Sequence, residues 1–297
     1  MLICLYVFFK QIIIRENLRI EAKRTAVIDI SKFNYSMLDQ PEIQRVLFHP
    51  RPEFRGSMAA SDHTDIMIPV EDEIAIGARF HMTDQAAGNI LFFHGNGEIV
   101  ADYDEIGRIM NQLRINFLAA DYRGYGRSTG QPTASAMMRD CHTIFNYVKN
   151  WLNKSGYPGP LVLMGRSLGS ASVLELALKH ADEIDGLIIE SGFAHTAPLL
   201  ALMGIDVAGF GFEEANGFCN LDKIKKFHKP TLVIHAAKDH IIPFRDGESL
   251  FKACPAADRT LLKIPQANHN DIFMHGLKDY LAAVAKLLEG LAASKAQ

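Results

Sequence analysis

Ser167, Asp239 and His269 are the residues whose types, order and settings could together perform nucleophilic catalysis. Ser167 stands in Gly165-Arg166-Ser167-Leu168-Gly169, a G-x-S-x-G pattern between an apolar run (161–164) and a helix-forming run (173–178). That context reads as a buried strand, a turn too tight for side chains at its corners, and a helix. A serine hydroxyl is a poor nucleophile at its free pKa, so it needs a base, and the base needs an orienting acid. A strand-to-helix elbow also aims the amide of the next residue, here Leu168, at the charge developing on a substrate oxygen. Taken alone, the pattern also fits an ordinary loop with Ser167 as a helix N-cap.

The chain supplies partners. Asp239 lies in Ala237-Lys238-Asp239-His240, directly after an apolar strand pattern (231–235); a plain turn aspartate is the alternative. His269 lies in Asn268-His269-Asn270-Asp271, after the last strand pattern and before the last helix; a surface loop histidine is the alternative. In the catalytic reading His269 takes the Ser167 proton and later gives it to the leaving group. Asp239 then holds the imidazole tautomer. A third stretch, His94-Gly95-Asn96-Gly97, places two glycines after a strand pattern, so its backbone can approach a ligand and aim the Asn96 amide at the same oxyanion. Two competing readings make His94 a base or make the loop a phosphate cradle; the latter lacks a following G-K-[ST].

Those loops need elements to hold them. Residues 65–70 and 74–80 alternate apolar and polar side chains and predict an antiparallel pair. Strand patterns at 89–93, 115–120, 161–166, 186–190, 231–235 and 259–264 alternate with helical patterns at 99–113, 133–152, after the elbow, 244–254 and 271–288. The last helix is expected to take Asp271 as its N-cap. The fold class is therefore α/β: a mostly parallel central sheet with a leading antiparallel strand pair, helices on both faces, and a short insertion at about 195–229. Ligands of such sheets sit outside the carboxyl ends of the strands, where all three loops fall. Arg166 and Glu190 end strands expected to be neighbours, so an ion pair bracing the elbow is predicted; an exposed Arg166 at the site mouth is the alternative. His235, His240 and His275 read as structural or surface residues, and Cys141 as packing in a helix.

The 297 residues are 48% apolar, enough for a sizeable core, and carry a formal net charge of −3. Neither the charge nor any Lys/Arg run points to nucleic acid. The four cysteines (Cys4, Cys141, Cys219, Cys254) are far apart, which suggests reduced thiols in a cytoplasmic protein and neither a zinc site nor a disulfide framework. Residues 1–36 read as an N-terminal extension, 37–290 as the folded domain and 291–297 as a tail. The apolar residues 1–14 are short for a membrane-spanning helix and lack the basic start and small-residue cleavage site of a signal peptide. They read as a start displaced upstream of, for instance, Met37 or a loosely attached extension, with a membrane-proximal helix, the only route to a membrane in this sequence, as the alternative.

With these residues assembled, the chain resembles the α/β-hydrolase superfamily, whose triad runs Ser, Asp, His in chain order. Gly165-Arg166-Ser167-Leu168-Gly169, His94-Gly95-Asn96-Gly97 and His269-Asn270-Asp271 are similar to Bem46-like serine hydrolases, as are the stretches 46–52 and 121–132. One departure is Ser170, where a glycine is common. The resemblance covers roughly 38–290. It implies hydrolysis of carboxylic esters or thioesters through an acyl-enzyme, on small acyl substrates, with no metal or organic cofactor. A serine peptidase or amidase, or a catalytically idle binding protein on this fold, are the alternatives. The insertion at 195–229 sits where this superfamily carries its cap, and Leu199, Met203 and Phe210 are candidates to line an acyl pocket.

Overall fold

A computed structural model describes residues 34–53 and 62–295. The expectations for residues 1–14, and for the extension as far as residue 33, lie outside the described residues.

The central feature is an eight-stranded sheet in the order β1-β2-β4-β3-β5-β6-β7-β8. β1 (Thr64–Glu71) and β2 (Ile74–His81) form the leading hairpin. β2 also runs antiparallel to β4 (Ile115–Ala120), and every later pairing is parallel. β3 (Gly88–Phe93), β5 (Leu161–Arg166), β6 (Gly186–Glu190) and β7 (Thr231–Ala236) are buried along their whole length. That burial explains why their sequences are continuous apolar runs and not alternating ones. β8 (Arg259–Ile264) closes the far edge and is more polar.

Helices cover both faces. α1 (Pro41–Leu47) precedes the sheet. One layer holds α2 (Asp104–Gln112) and α8 (Ile272–Lys295). Met110, Tyr280, Val284 and Leu288 of these helices pack with Ile90, Phe92, Phe117, Val162 and Ile234 of the strands in one apolar cluster. Each such large side chain contributes about 1.5–3 kcal/mol by leaving water. The other layer is α3 (Ala134–Ser155), α4 (Gly169–Lys179), α6 (Asn220–Ile224) and α7 (Phe244–Ala253), each packed on the next. Between β6 and α6 lies the insertion: α5 (Thr196–Leu202), a short turn of 3₁₀ helix (Glu214–Asn216) and the loop joining them. The Glu214 carboxylate accepts the amides of Thr196 and Ala197 (2.7 and 2.9 Å), which ties the end of the loop to the start of α5.

Four local expectations change. The helical pattern at 99–113 opens with a 3₁₀ turn (Val100–Tyr103), and α2 begins only at Asp104. α8 runs to Lys295 with a kink at Gly276, so residues 291–295 continue the helix and are not tail. The Asp271 carboxylate turns back to the Asn268 amide (2.5 Å) and does not cap the helix; its main-chain carbonyl accepts the first helical bond, from Met274 (3.0 Å). Finally, Tyr35 is buried, so packed structure begins before residue 37. Its hydroxyl donates to Glu175 (2.8 Å) and accepts from Lys223 (2.9 Å), linking the residues ahead of α1 to α4 and α6. Among the described residues, no helix is long and apolar enough to cross a membrane.

Candidate active site

Ser167 occupies the corner between β5 and α4 with φ = +50°. A non-glycine residue in this left-handed region is strained and persists only where its surroundings fix it. They do so here. The Ser167 amide donates to the carbonyl of Glu190 on β6 (2.9 Å), and its carbonyl accepts from the amide and hydroxyl of Ser170 (3.0 and 2.6 Å). The flanking glycines are required by space. A Cβ on Gly165 would stand 2.4 Å from the Gly169 carbonyl oxygen, and one on Gly169 would stand 2.1 Å from that of Phe93. The turn therefore closes only with glycine at both corners.

The loops after β7 and β8 bring the other two polar residues to this corner. His269 Nε2 lies 3.0 Å from Ser167 Oγ, and His269 Nδ1 lies 2.7 Å from Asp239 Oδ2. All three residues are under a tenth exposed. Asp239 Oδ1 accepts the amides of Ile241 and Ile242 (3.0 and 2.8 Å). Burial alone would raise the Asp239 pKa, but the His269 ring and the Ile242 amide outweigh it and hold the carboxyl below its ordinary value. Asp239 is thus an ionised partner that fixes the proton on Nδ1 and leaves Nε2 facing the serine as an acceptor.

The loop after β3 is equally constrained. The Asn96 side chain accepts from the His49 amide and the Tyr125 hydroxyl (2.8 Å each), so the side chain is used to hold the loop. The main-chain amides of Asn96 and Leu168 donate to no protein acceptor among the described residues. His94 is fully buried; its Nδ1 meets the Gly95 carbonyl (2.7 Å) and its Nε2 faces Asp121 (3.2 Å), which is a structural post and not a base beside Ser167. His235 is likewise internal: Nε2 donates to the Ile242 carbonyl (2.8 Å), and burial lowers its pKa. The proposed pocket residues all lie on the insertion. Leu199 is buried on α5, Met203 caps its end, and Phe210 is half-buried in the following loop; no polar bond ties any of them to Ser167.

Known proteins resemble this chain in sequence and fold. The family model described as serine aminopeptidase, S33, matches residues 84–211. Protein bem46 of Schizosaccharomyces pombe is 29% identical over 205 residues, covering 65% of this chain and 67% of the relative. The α/β hydrolase domain-containing protein aho-3 of Caenorhabditis elegans is 30% identical over 192 residues, covering 63% of this chain and 53% of the relative. The match thus spans between about half and two-thirds of these curated relatives. An esterase of Pyrococcus furiosus superposes with a TM-score of 0.66 at 16% identity, over 82% of this chain and all of that one, which shows the common fold.

This chain is similar to Bem46 and its α/β-hydrolase relatives.

The predicted Arg166–Glu190 pair forms in this protein (Nε to Oε1, 3.1 Å), and Arg166 is buried, not exposed at the site mouth. It does more than the pair. Its other nitrogens donate to Glu98, to the main-chain carbonyl of His269 (2.8 Å) and to Asn270 Oδ1 (3.2 Å). Glu98 in turn accepts the Gly95 amide (2.7 Å) and the Tyr103 hydroxyl (2.6 Å), while Tyr280 of α8 donates to Glu190 (2.7 Å). One guanidinium therefore joins the loop after β3, the serine elbow and the histidine loop. Sequence reasoning missed Glu98, Tyr103 and Tyr280. The signal available was indirect: an arginine beside the nucleophile needs anions, and Glu98 directly follows the glycine loop.

Proposed function

We propose that the chain is a serine hydrolase acting on carboxylic esters or thioesters through an acyl-enzyme. The observation that carries this reading is the line from Ser167 Oγ to His269 Nε2 (3.0 Å) and from Nδ1 to Asp239 (2.7 Å), at a strained elbow. Ser167 Oγ attacks the acyl carbon as its proton passes to His269 Nε2. The oxyanion is held by the amides of Asn96 and Leu168, at the N-terminal end of α4. The intermediate collapses, the C–O or C–S bond breaks, and His269 returns the proton to the departing alcohol or thiol. Water, deprotonated by His269, then releases the acid and restores Ser167. Asp239 stabilises the imidazolium in both halves. Leu199, Met203 and Phe210 receive the acyl chain. A second reading, cleavage of an N-terminal peptide bond, is favoured by the description of the matching family model.

A fluorophosphonate probe is expected to label Ser167, and Ser167→Ala to abolish both labelling and p-nitrophenyl ester turnover. Labelling that survives this substitution would overturn the assignment. Asp239→Asn should lower kcat by about 10⁴-fold with the fold intact. Comparing acyl esters, thioesters and aminoacyl anilides of graded length decides between the two readings.

A further inference from the structure

The leading hairpin carries chemistry that the catalytic site does not use. β1 and β2 pair with Thr64 opposite Phe80, and continuing that register by one residue sets His63 across from His81. The two imidazoles are 5.3 Å apart between ring centres. His81 is 1% exposed; its Nδ1 is buried without a hydrogen-bond partner, its Nε2 faces the Asp104 carboxylate at 3.4 Å, and the buried His63 Nδ1 faces Asp62 at 3.5 Å. Leaving the buried His81 Nδ1 unpaired costs on the order of 1–3 kcal/mol, and a ligand bound there would offset it.

Asp62 completes the group. Its Oδ2 accepts from Arg108 (2.7 Å), which leaves Oδ1 facing His63 Nδ1 at 3.5 Å. One donor atom from each of Asp62, His63 and His81 falls within 4.8 Å of the others. Donors on a tetrahedral zinc ion stand about 3.3–3.5 Å apart, given metal–ligand bonds of about 2.0–2.2 Å. Each imidazole has a carboxylate behind it: Asp65 lies 3.7 Å from His63 Nε2, and Asp104 lies 3.4 Å from His81 Nε2. Carboxylates placed in this way fix the tautomer of a metal-binding histidine and raise its basicity. The charges agree. Glu53, Asp62, Asp65, Asp104 and Glu105 face Arg79, Arg108 and Arg127, five carboxylates against three guanidiniums, so a dication would be neutralised.

We infer that Asp62, His63 and His81 form a site for a borderline divalent cation of the zinc class, with His63 Nδ1 and a ring nitrogen of His81 as its nitrogen donors. Two nitrogens and one oxygen select such an ion over calcium or magnesium, which prefer all-oxygen sites. β2 runs antiparallel to β4, and His81 pairs near the amino end of β4, whereas Ser167 lies at the carboxyl ends of the strands. The ion therefore acts as a cross-brace between the start of β1 and the end of β2, away from the acyl chemistry.

The test uses full-length, tag-free protein stripped with a chelator and then titrated with ZnCl₂ by calorimetry, with Co²⁺ as a spectroscopic substitute. One equivalent is expected to bind, to raise Tm, and with Co²⁺ to give tetrahedral d–d bands. His63→Gln and Asp62→Asn should each weaken binding at least about tenfold and remove the Tm increase. The His63 side chain is 13% exposed and His63→Gln keeps it polar, so this variant is expected to keep the Ser167 labelling of the parent with a metal-free Tm within a few degrees; His81→Gln is the more disruptive second variant. His275→Gln should bind like the parent. No stoichiometric zinc, or zinc whose affinity ignores both His63→Gln and Asp62→Asn, would overturn the site.

Discussion

Two buried cations in this molecule do opposite jobs. Arg166 and Lys223 are each under a tenth exposed, and each meets a buried glutamate. Lys223 Nζ lies 2.7 Å from Glu175, which also accepts from Tyr35 and faces His142 (3.5 Å). Burial opposes ionisation there, but these donors win, and the Glu175 pKa falls far below its ordinary value. Glu190 goes the other way. It is fully buried, it shares Arg166 with Glu98, and its pKa is raised, burial being the largest cause. One guanidinium spread over two carboxylates and a main-chain carbonyl leaves Glu190 less than fully compensated. Lys223 thus meets Glu175 at short range and ties α6 to α4 and to Tyr35 ahead of α1. Arg166 divides its fork among three loops and holds a geometry, a task for which a planar fork suits and a point charge does not.

The largest expected effect belongs to the structural centre. Lys223→Met strands Glu175 and should cost about 3–5 kcal/mol of stability, measured by urea denaturation, with ester turnover per folded molecule unchanged. A matching loss of kcat would erase the distinction between the two centres. Arg166→Lys comes next. It keeps the charge but loses the fork, so turnover should fall on the order of 10²-fold while Tm stays within a few degrees. An active Arg166→Lys protein would show that the loops hold themselves.

The smallest effect is in pH dependence. Glu175 has a lowered folded pKa, so its stabilisation is present above its unfolded value of about 4.3 and is lost as pH falls towards the folded value. Glu190 has a raised folded pKa, so its favourable contribution is present below about 4.3 and is lost as pH rises through the folded value. Urea midpoints between pH 3 and 7 should show Glu175→Gln flattening the acid limb and Glu190→Gln flattening the neutral one. The same slope change in both variants would contradict the comparison.

The sequence makes the strands, the elbow and the order of Ser167, Asp239 and His269 legible, because each depends on a local pattern: an apolar run, a glycine pair, a loop after a strand. The Arg166–Glu190 pair is legible for a related reason, since both residues end strands whose adjacency follows from the alternation of strands and helices. What stays hidden depends on distant meetings. Tyr35 reaches Lys223 across 188 residues, and Arg166 reaches Glu98 across 68, with no periodicity to announce either. His63 and His81 carry no motif spacing in the sequence; strand register alone brings the two imidazoles together. The insertion was recognised by its position, but its side chains carry no pattern that distinguishes an acyl pocket from packing.

The route of the chain through the site also bears on its biogenesis. Ser167 lies 102 residues before the imidazole it meets, and the bracing carbonyl of His269 lies 103 residues after Arg166. A ribosome therefore releases the serine long before β8 and α8 exist. Under the proposed mechanism a nascent chain carries a nucleophile with no base and an elbow with no brace, so it is inert towards neighbouring acyl groups. Reactivity arrives last, when the final strand pairs with β7 and the terminal helix docks, and a product truncated before β8 is harmless for the same reason.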